Sequence, residues 1–172
     1  MILTILGHTP VWVWVLFCAL TALGLAQTRR RDVGRARAIL LPILMVILSL
    51  SGSLNTFTQV PVALVAWLAA FWLTFSLAGE AVAVRGASWS PASRHFHIPG
   101  SWLPLGLILG LFAIKYVTGV CLSLNRALAA STGLTTLLSL TYGTFAGLFW
   151  GRAWSLLRLA LRSRTVQSAT AL

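Results

Sequence analysis

Acidic side chains are nearly missing from this sequence. Its 172 residues hold two, Asp32 and Glu80, against thirteen lysines and arginines, for a net charge of +11. Two carboxylates on separate segments leave no room for a paired-acid or Ser-His-Asp constellation, so no enzyme activity is expected. Charge of either sign is also scarce. Only 9% of the residues are charged and 58% are hydrophobic, too few charges to solvate a globular surface, and lipid is the expected main solvent. Cysteine is almost absent: Cys18 and Cys121 both sit inside apolar stretches, where thiols behave as small hydrophobes, and no disulfide framework is implied. The arginines come in short runs beside apolar segments, without an RNA motif or a phosphate-tracking groove, so positive-inside topology explains them better than nucleic acid. No cofactor and no metal is expected.

What the sequence does hold is long apolar runs, one of them with a lysine deep inside. Trp102–Leu124 at about 1.5 Å per residue covers slightly more than the roughly 30 Å hydrocarbon core. Lys115 is its one charge and the only lysine of the chain. At that depth an ionisable group costs at least about 2.5 kcal/mol on insertion scales.

In chain order, Met1–Gly7 is apolar but too short to span and is expected at the interface. Thr9 and Pro10 read as a helix start, and the first span is Pro10–Ala26. No basic segment precedes it and RRR follows, the reverse of a cleavable signal, so it is read as a retained anchor. The basic loop QTRRRDVGRAR (Gln27–Arg37) leads to a second span, Ala38–Leu54, with Pro42 either in its first turn or kinking it. The third span runs from Pro61 to about Gly79. Residues 81–100 alternate apolar and polar side chains, broken by Gly86 and Ser90-Pro91, and predict a short β-hairpin. The fourth span is Trp102–Leu124 and the fifth Gly133–Trp150. The tail 151–172 continues the helix for a few turns and then frays. The expected class is therefore an all-α membrane protein of one integral domain, with a small hairpin between helices 3 and 4.

Lys and Arg counts orient it. The first loop has five, the third loop Arg85 and Arg94, and the tail Arg152, Arg158, Arg162 and Arg164, against Arg126 alone on the other side. That bias places the N-terminus outside and the C-terminus in the cytoplasm.

The blocks HTPVWVW (His8–Trp14), FHIPGSWLPL (Phe96–Leu105), FAIKYVTGV (Phe112–Val120) and YGTFAGLFWGR (Tyr142–Arg152) together resemble an uncharacterised family of small bacterial inner-membrane proteins, a domain of unknown function. The resemblance covers nearly the whole chain. It implies a multi-pass bacterial inner-membrane location and five helices, and it implies no activity.

Lys115 is the candidate binding residue. Intramembrane lysines face a cavity or a partner; the plainer alternative is a stem packed on apolar side chains with the ammonium on carbonyls or snorkelling outward. Glu80 and Asp32 belong to the far end of the bundle, so its partner must be a neutral group, an aromatic face, another subunit or a bound anion. Thr21, Ser49, Trp67, Trp72 and Tyr142 lie at suitable depth. Gly106 and Gly110 on the fourth helix, and Gly143, Gly147 and Gly151 on the fifth, repeat G-x-x-x-G, which predicts that these two helices pack along glycine ridges. Lys115 would then point away from helix five, favouring Thr21, Ser49 or the tryptophans over Tyr142. His95 and His97 alternate on the hairpin, too weak a pattern for a metal site.

Three functions stay open: a non-enzymatic membrane component or assembly subunit, partnered by the bilayer and by a second copy or another membrane protein; a small transporter or channel subunit in which Lys115 meets an anion or proton pathway; and a membrane enzyme acting on lipid or haem, for which only the histidines speak.

Overall fold

The computed structural model describes residues 10–54, 57–78, 81–84, 86–90 and 95–170, with the side chains of all of these except 35, 78 and 163–170. The expected interfacial segment Met1–Gly7, the capping Thr9 and Glu80 lie outside the described residues.

Uninterrupted apolar sequence becomes helix because, away from water, only intrahelical bonding satisfies every backbone group. Among the described residues there are five α-helices: α1 (Val11–Ala26), α2 (Arg35–Leu54), α3 (Val60–Ala78), α4 (Leu103–Leu124) and α5 (Thr132–Thr170). A 3-10 helix, Arg126–Ala130, precedes α5. Among the described residues three helical stretches, Ala36–Leu54, Val60–Leu77 and Leu103–Leu124, are long and apolar enough to cross a membrane, and Val11–Ala26 is apolar but shorter. Large apolar side chains on every helix stand more than half exposed, among them Val15, Leu40, Val65, Leu73, Val117 and Leu137. So much outward apolar surface suits a lipid surround and not water.

Pro42 lies well inside α2, since that helix begins at Arg35, ahead of the expected start at Ala38. α5 continues past Trp150 as expected, but runs without a break to Thr170, further than a few turns.

Successive helices alternate between two ends of the bundle. At one end the 3-10 helix is tied to the start of α3: Thr132 Oγ1 donates to Gln59 Oε1 at 3.0 Å and Gln59 Nε2 donates to the Ala130 carbonyl at 2.8 Å. At the other end lies a small sheet. Ser88–Ser90 (β2) and His95–Ile98 (β3) pair antiparallel, as the alternation predicted, and Arg31–Gly34 from the basic loop adds a strand (β1) to give the order β1-β3-β2. Register sets Val33 and Trp89 on either side of Phe96. An isolated hairpin is marginal; here Phe96, fully buried, packs with Val33 and Ile98 against Leu156 and Ala160 of α5. The extension of α5 beyond Trp150 is thus the platform the sheet needs.

Packing inside the bundle is uneven. α5 is central and meets α3 most extensively and α2 next, while α1 pairs with α4. Phe17 and Phe112 tie that pair, their ring centroids 5.2 Å apart. α4 touches α2 and α5 only lightly. The α1–α4 pair therefore leans on a tight α2–α3–α5 trio, and a cleft remains between them.

Candidate functional site

Glycine explains how the trio closes. A methyl group on Gly143 would sit 2.2 Å from the Trp67 carbonyl oxygen, and one on Gly147 would sit 2.7 Å from that of Phe71. The ridge of α5 thus seats the backbone of α3 and not that of α4, correcting the expectation of a helix four–helix five glycine seam. Small residues on α3 make this fit: Ala63, Ala66 and Ala70 are all buried, and Ala66-x-x-x-Ala70 is the matching small-residue signal in the sequence. Gly151 is buried further along α5. On α4, Gly110 accommodates the Phe145 ring at 3.0 Å, whereas Gly106 faces open space.

Beside this seam sits a hydroxyl-centred knot. Ser49 of α2 donates to the Tyr142 carbonyl at 2.6 Å and accepts from Trp67 Nε1 at 3.0 Å. One buried serine so joins α2, α3 and the backbone of α5 at Tyr142, and the Tyr142 hydroxyl donates to Thr118 Oγ1 of α4 at 3.4 Å.

Lys115 meets the Tyr142 ring. Its ammonium stands 5.7 Å from the Tyr142 ring centroid, within the range of cation–π attraction. Gly52 makes the space: a methyl there would lie 2.8 Å from Lys115 Nζ and 3.1 Å from Tyr142 Cε2. Tyr142, disfavoured on the assumption that α4 and α5 share a glycine seam, is thus the aromatic neighbour of the lysine. Ser49 and Trp67 act behind it, Thr21 Oγ1 is buried without a partner, and Trp72 faces outward. Gly52, flanked by serines, carries no sequence signal beyond its small size.

The lysine also lines the cleft. This opening of about 660 Å³ lies between α1, α2 and α4, walled by Leu16, Leu20, Met45, Ile108, Phe112 and Tyr116 among others, and among the described residues Lys115 is the one charged side chain in its lining. Its size falls within the usual range for small-molecule sites, about 300–1,000 Å³. Among the described residues no carboxylate answers the ammonium: Asp32 is paired with His97 Nδ1 across β1 and β3.

His95 and His97 face away from the sheet core, on the side opposite Phe96. Among the described residues no three His, Cys, Asp or Glu side chains gather as a metal-ligating group. Cys18 and Cys121 are free thiols.

Comparison with curated proteins and with solved structures gives no match. The description of a Family of unknown function (DUF6622) matches residues 1–167, which is nearly the whole chain including both the cleft and the sheet, and the protein belongs to that family.

Proposed function

We propose that this protein is a non-enzymatic, five-span component of a bacterial inner membrane that holds an amphipathic anion in the cleft beside Lys115. The observation carrying this reading is the placement of Lys115, the one charged side chain among the described lining residues, in the wall of a largely apolar cleft. An acyl chain would cover the apolar wall and a carboxylate or phosphate head would answer the ammonium. A neutral lipid leaves the charge unanswered, and a small hydrophilic anion leaves the apolar surface bare. The two remaining helices would add Val11–Ala26 and the first part of α5 to the three long apolar spans, and the arginine bias favours a cytoplasmic sheet end. A transporter or channel subunit built on the same lysine is the second reading, favoured by the Lys115, Tyr142 and Thr118 side chains, which lead from the cleft toward α5.

The test is displacement of a dansyl-labelled fatty acid from the detergent-solubilised protein by laurate and by methyl laurate. A charge-assisted contact contributes about 1.5–3 kcal/mol, so laurate should compete roughly tenfold or more better than its ester, and Lys115→Met should erase that preference. Equal competition by acid and ester in the wild type, or an undiminished preference in Lys115→Met, defeats the reading.

A further inference from the structure

A second cationic feature lies at the sheet end, remote from Lys115. Arg31 of β1, Arg37 near the start of α2 and Arg152 of α5 line one small pocket with Gln27, the residue following α1. Its free space is about 40 Å³; since about 10–15 Å³ holds one water, there is room for two or three, or for one compact oxyanion in their place.

The donors there are in surplus. Gln27 is 5% exposed, and its Oε1 accepts from Arg31 Nη2 at 3.0 Å. Its Nε2 and the Nε of Arg31 are buried with no partner. Native proteins seldom leave such groups unsatisfied. The cations are also crowded: burial pushes the Arg31 guanidinium down, and burial first and the Arg31 charge second push Arg152 down to about 10. Of the two acidic residues, Asp32 projects to the other side of β1, where it holds His97, and Glu80 lies outside the described residues. Among the described residues, no carboxylate lines the pocket.

We infer that Gln27, Arg31, Arg37 and Arg152 form a binding site for a phosphate-class oxyanion, either free phosphate or the head of an acidic phospholipid. Guanidinium forks match the oxygen spacing of a tetrahedral oxyanion, and the unsatisfied amide and Nε donors supply further bonds. Filling the site would also offset the repulsion between Arg31 and Arg152. Pro104 and Phe149 close its inner side, so the ligand is held at the end of the bundle, where the apolar helices give way to the sheet.

The test uses thermal unfolding of the full chain in dodecyl maltoside. One arm compares sodium phosphate with sodium chloride at matched ionic strength, and the other adds dihexanoyl-phosphatidic acid against dihexanoyl-phosphatidylcholine. A rise in Tm specific to phosphate supports the site with free phosphate as source; a rise with phosphatidic acid alone supports it with the lipid head as source. In either case Arg37→Gln and Arg152→Gln should weaken the apparent affinity at least about fivefold, and Arg158→Gln should leave it unchanged. Arg37 is exposed, so its variant keeps the test readable if Arg152→Gln does not fold. No anion-specific rise in the wild type, or an equal rise in Arg37→Gln, overturns the inference. So does binding that appears only in Glu80→Gln, because the chain's own carboxylate would then be the occupant.

Discussion

Gly143→Ala puts the packing of the trio to a quantitative test. The added methyl would sit 2.2 Å from a backbone carbonyl oxygen and 3.0 Å from the Ala70 methyl, where ordinary contact begins near 3.4 Å. A carbonyl within α3 cannot rotate aside, so the helices must separate locally by about 1 Å. A gap of 0.5–1 Å forfeits about a quarter to a half of each affected contact, and overpacking of this kind costs about 1–3 kcal/mol. Alanine's better helix propensity returns up to about 1 kcal/mol, leaving a net loss of about 1–2 kcal/mol. At about 2–4 °C per kcal/mol for a chain of this size, Tm should fall by about 2–8 °C. Gly106→Ala is the control, since its methyl meets nothing within 4 Å; it should melt at or slightly above the wild type. Gly147→Ala, at 2.7 Å from its carbonyl, should fall between. The assay is tryptophan-monitored thermal unfolding in detergent. If Gly143→Ala and Gly106→Ala melt within about 1 °C of each other, the α3–α5 seam is not where the geometry puts it.

Other perturbations have separate outcomes. Ser49→Ala removes the acceptor of Trp67 Nε1 and the donor to the Tyr142 carbonyl; orphaning such buried groups costs about 1–3 kcal/mol, and the same melts should record it. Phe96→Ala empties the centre of the sheet core, a change costing about 3–5 kcal/mol in well-packed cores, and limited proteolysis should then cut within residues 27–34 while the helices stay protected. Gly52→Ala confronts only the tip of Lys115 and the edge of the Tyr142 ring; it should shift Tm by less than about 4 °C yet weaken laurate binding severalfold, read in the displacement assay.

Much of the helical framework was legible because an apolar run in lipid has one backbone solution, and charged or proline-bearing joints mark where each run stops. The β2–β3 hairpin was legible through its alternation. β1 was not: Arg31–Gly34 has a single apolar residue, Val33, and becomes a strand only because β3 and the α5 platform are there to receive it. The direction of the α5 ridge was misread for a related reason. G-x-x-x-G announces that a helix can be approached closely but not by which neighbour, and the alanines of α3 were the better complement. Lys115 stood out as a lone cation among apolar residues, but its cleft depends on how the α1–α4 pair leans against α2, and no local pattern encodes that. The arginine pocket was hidden likewise, since Arg31 and Arg152 lie far apart in sequence and each reads alone as a topology signal.

The most direct test of the proposed ligand is its location. The protein is incubated in mild detergent with palmitate bearing a mid-chain diazirine, irradiated, and mapped by peptide mass spectrometry. Adducts should concentrate on cleft residues such as Leu16, Met45, Phe112 and Tyr116, and Lys115→Met or the methyl ester of the probe should abolish that focus. Labelling spread equally over outward-facing residues such as Val65 and Leu73, with no dependence on Lys115, would contradict it.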